Sequence, residues 1–326
     1  MKKTFVLLAG GFLLFAGCNK SAHEKETTAI NEEETFTATQ RQCGAYEVLQ
    51  EQLKTDPDLQ RRMDQIEEFT SRVMANPGAY RLLANGIVEI PVVFNVLYRT
   101  AAQNVSQAQL QSQIDVLNED YAGSNSDHNL TSTYNSVKAS DIGVRFVLDQ
   151  VVRKSTTKTS WGTNDAMKKS GQGIAPTSPT TKLNIWVCNL GGGILGYAQF
   201  PGGSSATDGV VLDDNATGRT GTAAAPFNKG RTATHEIGHW LNLRHIWGDA
   251  TCGNDQVGDT PLHNTANYGC PAAGHKSTCT GQPVEMTMNY MDYTDDACMY
   301  MFSLGQRTRM LATFASGGPR NSFAQP

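Results

Sequence analysis

The segment His235-Glu236-Ile237-Gly238-His239 constrains this chain more than any other feature of its 326 residues. Two histidines four residues apart lie one turn apart on an α-helix, so both imidazoles can reach one metal ion while Glu236 lies beside it. Zinc prefers nitrogen and sulfur ligands, and a catalytic zinc site has three protein ligands with water in the fourth position. The segment therefore predicts a helix that carries two zinc ligands and a carboxylate base.

A third histidine extends this pattern. His245 follows at the spacing HExxHxxxxxH. In the longer metzincin pattern a glycine, three residues after the second histidine, lets the helix stop and the chain turn back to the metal. Asn242 stands at that position here, and asparagine tolerates the left-handed conformation that such a turn requires. We therefore expect His235, His239 and His245 to bind zinc; the alternative is an amphipathic helix with surface or core histidines.

The first 17 residues have the form of a signal peptide. A positive Met1-Lys2-Lys3 precedes an apolar run, which is too short to span a bilayer comfortably. The run ends in Phe15-Ala16-Gly17-Cys18, which resembles the lipobox of bacterial lipoproteins. We expect export and acylation of Cys18, so that a lipid anchor ties the protein to the outer surface or the periplasmic face of a membrane; ordinary secretion is the alternative.

Charge and hydrophobic patterning set the class of the rest. The net charge is −4 and no dense run of Lys or Arg occurs, so the chain lacks the basic stripe that a nucleic-acid partner requires. Residues 19–40 are polar and predict a tether. Helical periodicity runs from Tyr46 to about Met74, and the chain then breaks at Asn76-Pro77-Gly78.

The remaining elements alternate in a way that predicts an α/β fold. Ser106 to Tyr121 forms a capped helix, because Ser106 and Gln109 make a capping box and the apolar residues share one face. Five apolar or alternating runs predict strands: Ile87–Tyr98, Ile142–Leu148, Leu183–Cys188, Ile194–Phe200 and Gly209–Leu212. We expect a single sheet with helices packed on it, ahead of the helix that carries His235.

Four stretches resemble one known family. They are Gly230–Asp249 (GRTATHEIGHWLNLRHIWGD), Asn289–Tyr293 (NYMDY), Leu183–Asn189 (LNIWVCN) and Leu195–Phe200 (LGYAQF). Together they resemble the pappalysin family of metzincin metalloproteases, and in particular its bacterial and archaeal branch, which includes cytophagalysin and ulilysin. The likeness extends from about Ile90 to Met310.

The resemblance implies a fold and an activity. Residues 86–326 would be a metzincin-like catalytic domain with a twisted mixed sheet, a backing helix, an active-site helix and a Gly-rich C-terminal subdomain. It would be a zinc-dependent endopeptidase that cleaves protein or peptide substrates. Zinc lowers the pKa of its bound water towards ~7, while Glu236 would accept the water proton and pass it to the leaving amine. The family also implies that Tyr293 stabilises the oxyanion and that Met291 forms an apolar floor beneath the metal.

The resemblance also implies where substrate binds. Leu195, Gly196, Tyr197 and Ala198 would belong to an edge strand to which an extended substrate adds through main-chain hydrogen bonds. Asp295 and Asp296 would favour Arg or Lys immediately after the cleaved bond. Two adjacent exposed acids without such a role would look the same.

The cysteines could form disulfides, bind zinc or lie buried in the core. Cys252, Cys270, Cys279 and Cys298 allow three pairings, and spacing cannot choose among them. The resemblance favours Cys252 with Cys279 and Cys270 with Cys298; a second zinc site is the alternative, although no CxxC pair is present. Cys188, in a predicted strand, fits a buried apolar residue better than a reactive thiol.

Cys43 lies in Arg41-Gln42-Cys43-Gly44, which resembles the cysteine switch of metzincin zymogens. In such a switch the thiolate takes the water position on zinc. We therefore expect residues 18–85 to be a tether and a helical latency pro-segment, removed on activation. An unpaired cysteine near the lipid anchor is the alternative.

A second metal is expected in the loop that follows the histidines. Asp255, the Val257 carbonyl, Asp259 and Thr260 supply hard oxygen ligands in a glycine-containing loop, which relatives use to bind calcium. The alternative is a solvated acidic loop.

Two other functions are compatible with parts of the motif. A gluzincin-type peptidase would take a downstream glutamate as third ligand, but only Glu285 follows the motif. A catalytically silent zinc-containing adhesion or binding protein would not need Glu236 and Tyr293.

Overall fold

The computed structural model of the protein describes residues 38–76, residue 78 and residues 86–324. The predicted signal peptide, Cys18 and most of the predicted tether lie outside the described residues, as does the segment 79–85, at the predicted boundary between pro-segment and catalytic domain. Among the described helices none is both long enough and apolar enough to cross a membrane.

Five strands form one mixed sheet. They are β1 (Val88–Tyr98), β2 (Val144–Ser155), β3 (Leu183–Cys188), β4 (Gly196–Ala198) and β5 (Val210–Asp213). Their order is β2-β1-β3-β5-β4; four pair in parallel, and β4 pairs antiparallel with β5 at one edge. Every residue of β3 is buried, as expected for a central parallel strand that is covered on both faces. The predicted α/β fold is confirmed.

Two helices connect this sheet to the metal motif. The backing helix α3 (Gln107–Tyr121) begins where Ser106 Oγ accepts a hydrogen bond from the Gln109 amide at 3.1 Å. It packs against β2 and against the active-site helix α4 (Arg231–Trp240), and α4 in turn packs on β4 and β5. The edge strand and the metal motif are therefore neighbours.

The structure differs from the sequence prediction at β2 and near the C-terminus. The strand expected at Ile142–Leu148 begins at Val144 and continues to Ser155, because β2 pairs along the whole of β1. A helix near the C-terminus, α5 (Leu304–Ala312), was not predicted, although Ser303 and Gln306 form a capping box at its start.

The helical segment before the sheet is divided in two. The helical pattern predicted from Tyr46 to about Met74, with a start signal at Asp56-Pro57, becomes α1 (Ala45–Thr55) and α2 (Leu59–Ala75). Pro57 causes the division, because a residue that precedes proline is held away from the helical conformation, and Asp56 is indeed extended. α1 packs against β4, and α2 packs on α5.

Two disulfides join loops of the C-terminal region. Cys252 is bonded to Cys279 and Cys270 to Cys298, which is the pairing that the family resemblance implied. Cys43 and Cys188 are free and buried.

Candidate metal centre and active-site cleft

The helix α4 and the turn after it bring three histidines together. His235 and His239 lie one turn apart on α4, and the helix ends just beyond them. Asn242 then adopts the left-handed conformation, with φ of 71°, as its position in the motif predicted. This turn directs the chain back towards α4, so that His245 faces His235 and His239.

The three imidazoles present their Nε2 atoms to one point. His239 Nε2 lies 3.2 Å from His235 Nε2 and 3.1 Å from His245 Nε2. Two nitrogen ligands of a tetrahedral zinc, each about 2.0–2.1 Å from the ion, are roughly 3.3 Å apart. The observed spacing therefore fits a zinc ion.

The other ring nitrogens explain why these atoms converge. Nδ1 of His235 is 2.7 Å from the Tyr290 carbonyl, and Nδ1 of His239 is 2.8 Å from the Leu243 carbonyl. Nδ1 of His245 bonds to the carboxylate of Asp249. Each Nδ1 donates to an oxygen, which leaves each Nε2 lone pair free for a metal.

Burial favours the neutral, metal-binding form of His235 and His239. Burial, together with the neighbouring imidazoles, lowers the pKa of His235 well below its ordinary value and lowers that of His239 to about 3. The three Nε2 atoms are buried close together, and each ring directs its Nδ1 hydrogen to an oxygen elsewhere. A cation is the group that makes such a cluster favourable.

Cys43 completes a four-residue group with the histidines. Its sulfur and the three imidazoles offer ligand atoms within 4.8 Å of one another. The thiol donates to Glu236 Oε2 at 3.4 Å. Burial raises the pKa of Glu236 to about 8, and burial together with the Glu236 charge raises the pKa of Cys43; a cation at the centre would lower both.

Met291 packs directly beneath α4. A Cβ at Gly238 would lie 2.4 Å from the Met291 sulfur, so the contact depends on the glycine within the motif. The Met291 carbonyl accepts a hydrogen bond from Ile246 at 3.1 Å. Met291 thus joins the helix to the turn that carries His245.

Tyr293 stands over the same centre. Its ring packs edge-on against His245 and Trp247, with centroids 4.9 and 4.7 Å apart. Its hydroxyl donates to the Cys43 carbonyl oxygen at 3.3 Å. The hydroxyl therefore reaches the backbone of the segment around Cys43, which crosses the site.

Residues 41–44 lie in the cleft and pair with the edge strand through a β-bridge at Cys43. The Gln42 carbonyl accepts from the Leu195 amide, and the Gly44 amide donates to the Gly196 carbonyl, both at 2.9 Å. The pairing is parallel to β4. Gly196 is required here, since a Cβ would lie 3.0 Å from Glu236 Cγ. Of the other predicted residues of this strand, Tyr197 is buried and bonds to Asp165, and Ala198 lies in the core.

Arg41 fills a polar pocket beside the centre. Its Nη2 lies 2.6 Å from Asp296 Oδ1, Nη1 lies 3.1 Å from Thr232 Oγ1, and Nε lies 3.2 Å from the Thr294 carbonyl. The second oxygen of Asp296 accepts from the amides of Lys229 and Arg231 at the start of α4. Both charged side chains are buried, at 1 % and 0 % exposure.

Asp295, which the sequence paired with Asp296, takes no part in these hydrogen bonds. Its amide donates to the Gly269 carbonyl, and its side chain remains partly exposed. The two adjacent acids therefore lie in different surroundings.

Three of the four expected calcium ligands lie together. Thr260 Oγ1 is 2.9 Å from both Asp255 Oδ2 and the Val257 carbonyl. Asp259 is engaged elsewhere: its oxygens accept from Ser303 Oγ and the Gly305 amide, at the start of α5.

Sequence reasoning gave no role to Asp249 or to Thr232. A signal for Asp249 existed, because it stands four residues after His245. Nothing in the sequence placed Thr232 beside Arg41, since 191 positions separate them.

The fold and the centre together define a class of protein. The helix that carries HExxH lies beside an edge strand, a third histidine follows after a turn, and a methionine packs beneath. This combination defines a zinc metalloendopeptidase of the metzincin type. The edge strand, α4 and Met291 are far apart in the sequence, and the fold brings them to one place, so a chance arrangement is a poor explanation.

Comparisons with known proteins agree with this class. The sequence profile of the family described as pregnancy-associated plasma protein-A matches residues 179–315. An extracellular metalloprotease of Verticillium alfalfae is 35% identical over 235 residues, which cover 68% of this chain and 76% of that protein. One of Pyricularia oryzae is 36% identical over 223 residues, covering 66% of this chain and 70% of that protein.

Two solved structures are also similar. A mutant of promirolysin from Tannerella forsythia has a TM-score of 0.78 at 38% identity, covering 87% of this chain and 97% of that one. Mature mirolysin with a cleaved peptide has a TM-score of 0.70 at 42% identity, covering 73% of this chain and 96% of that one. The chain belongs to the pappalysin family of zinc metalloendopeptidases.

Proposed function

We propose that the protein is an exported zymogen that hydrolyses peptide bonds, with His235, His239 and His245 as zinc ligands and Glu236 as general base. The convergence of three Nε2 atoms beside a buried carboxylate carries this proposal. When bound, zinc would polarise the scissile carbonyl and lower the pKa of a water molecule. The remaining steps belong to side chains of this protein.

Glu236 would take the proton of the attacking water and pass it to the leaving amine. The carboxylate is 1 % exposed and its Oε2 faces the Cys43 thiol, so it points at the position where the chain crosses the centre. A positioned carboxylate of this kind typically contributes about 10²- to 10⁴-fold to the rate.

Tyr293 would stabilise the oxyanion. Its hydroxyl already donates to a carbonyl oxygen, that of Cys43, in the chain segment that lies across the centre. A substrate carbonyl in that place would receive the same hydrogen bond, which strengthens as negative charge develops on the oxygen.

Latency would come from Cys43 and its flanking residues. The thiol lies within ligand distance of the histidine cluster, and the adjoining main chain occupies the hydrogen-bonding edge of β4. Substrate needs the same edge and the same centre. We therefore propose that residues 18–85 keep the enzyme inactive until they are removed.

Arg41 suggests what the enzyme prefers after the cleaved bond. Its guanidinium is held by three acceptors of different residues, a geometry that a lysine ammonium cannot reproduce. We propose that substrates place arginine in this pocket against Asp296. Asp295 has no part in this proposal.

A calcium ion is proposed for the loop of Asp255, the Val257 carbonyl and Thr260. These oxygens approach one another closely enough to share a cation. Calcium would hold the loop that begins just after the third histidine.

Export is proposed from the N-terminal 17 residues, and the named relatives are extracellular proteins. Acylation of Cys18, leaving a lipoprotein of the outer surface or the periplasm, remains part of the proposal.

Replacement of the general base tests the proposed function. Glu236→Ala should abolish casein cleavage by the activated enzyme while elemental analysis still finds about one zinc per chain. Glu89→Ala, at an exposed glutamate of β1, is the matched control and should retain activity. Full activity in Glu236→Ala, or a wild-type protein without metal, would refute the assignment.

A further inference from the structure

The pro-segment has a second anchor that involves neither Cys43 nor the histidine cluster. On α2, the carboxylate of Glu67 forms two hydrogen bonds with the guanidinium of Arg309 on α5; one, from Nη1 to Oε1, is 2.7 Å long. The Arg309 side chain is 1 % exposed and that of Glu67 28 %. Bidentate pairs of this type are among the stronger charge-assisted hydrogen bonds.

The anchor reaches the turn between the second and third histidines. Arg309 Nε donates to the Asn242 carbonyl at 2.7 Å. Asn242 is the left-handed residue of that turn, and its side-chain amide lies 3.5 Å from Thr70 Oγ1 of α2. A single patch of the catalytic part, formed by Arg309 and Asn242, therefore receives two side chains of α2.

The rest of the contact combines polar and apolar groups and leaves a cavity beside it. Arg62 Nε donates to the Gly202 carbonyl at 2.7 Å, and Gly202 also faces Ile66. A cavity of about 200 Å³ remains between the helices and Phe200. Leu59 and Val73 of α2 are buried as well, so the polar contacts at Arg309 add to an apolar contact and give it direction.

We propose that this patch retains the pro-segment after the chain is cut between α2 and β1, so that the cleaved pro-segment remains bound as an inhibitor. The inference rests on the proposed latency and adds its regulation. A cut within residues 79–85 leaves every contact of Glu67 and Thr70 intact. The partner that fits the patch is the amphipathic helix of this same chain, residues 59–75, which presents Glu67 to Arg309, and full activation requires its release or destruction.

Retention of the fragment can be measured in the full chain. A recognition sequence for a site-specific protease is inserted within 79–85, and the folded protein is cut in the presence of phenanthroline, which removes zinc. The fragment carries a fluorophore at its N-terminus, and its dissociation rate is followed by anisotropy. We expect the wild-type fragment to co-elute with the catalytic part. The fragment that carries Glu67→Gln should dissociate about tenfold faster, because a buried arginine loses its charged partner.

A neighbouring residue supplies the matched control. Glu68 pairs with Arg72 on the same helix and its side chain is 73 % exposed, so Glu68→Gln should dissociate as slowly as the wild type. Equal rates for Glu67→Gln and Glu68→Gln would overturn the inference, as would immediate loss of the wild-type fragment.

The same assay separates this inference from the proposed function. With zinc removed, Cys43→Ser should retain its fragment; release caused by Cys43→Ser but not by Glu67→Gln would refute the anchor and leave the cysteine switch standing. Conversely, an active Glu236→Ala enzyme would refute the proposed chemistry without changing fragment retention.

Discussion

The carboxylate of Asp249 accepts a hydrogen bond from Nδ1 of His245, four residues earlier in the chain. Burial alone would raise the pKa of Asp249, but the hydrogen bond from His245 holds it below its ordinary value. The carboxylate thereby orients the third histidine and fixes which of its nitrogens faces the centre.

Asp249→Asn should therefore weaken zinc binding by roughly 10- to 100-fold, because the histidine loses a charged partner. Competition with a chromogenic chelator measures the affinity. Asp115→Asn, at an exposed position of α3, should bind zinc like the wild type. Equal affinities in the two variants would contradict the role of Asp249.

Asp296→Asn should lower kcat/KM for substrates with arginine after the cleaved bond by about 10²-fold, because a buried guanidinium loses its counter-charge. A peptide library that compares arginine with leucine at this position measures the change. Asp295→Asn is the control, and its cleavage profile should match that of the wild type. A similar loss in both variants would show that the acidic loop acts as a whole.

Gly238→Ala should destabilise the protein by about 1–3 kcal/mol, because the new methyl group would lie too near the Met291 sulfur. Urea unfolding measures the loss, and zinc affinity should fall with it. At Gly162 a methyl group would have open space, so Gly162→Ala should be close to neutral. Equal stability in both variants would mean that Met291 moves aside without cost.

Asp120 should make stability depend on pH. Burial raises its pKa to about 6, so the folded state holds a proton that the unfolded chain has already released. The contribution of Asp120 to stability is therefore most favourable below about pH 4 and is lost as the pH rises to about 6, by up to about 3 kcal/mol.

Asp120→Asn removes this dependence. Between pH 4 and pH 6 the unfolding free energy of the wild type should fall relative to that of the variant, because only the wild type loses the Asp120 contribution. Urea titrations across that range provide the test, and a difference that stays constant with pH would contradict the assignment.

Cys43→Ser should shorten the lag before activity appears, because serine is a poorer metal ligand than a thiolate. Gln42→Ala, next to it in the chain and exposed, should leave the lag unchanged because Gln42 contributes its main chain to the pairing with β4. Time courses of casein cleavage from the full-length protein measure the lag. An unaltered course in Cys43→Ser would remove Cys43 from the proposed switch.

Much of the fold and the centre could be predicted because the signals are local. Ser106 with Gln109 starts a helix, the run Leu183–Cys188 is apolar throughout, and His235 and His239 share a helix face by spacing alone. Asn242 could be assigned to a left-handed turn because few residue types tolerate that conformation. Physical preferences of this kind act within a few residues, so the order of amino acids by itself determines them.

Tertiary structure alone decided which distant groups meet. Arg41 lies against Asp296 across 255 positions, and Glu67 against Arg309 across 242. No periodicity or spacing links residues so far apart, because their contact depends on how the whole chain packs. The same packing turned Asp259 to the start of α5 and placed Asp296, rather than Asp295, at the amides that begin α4. Buried charges need such partners, and only the folded chain brings them within reach.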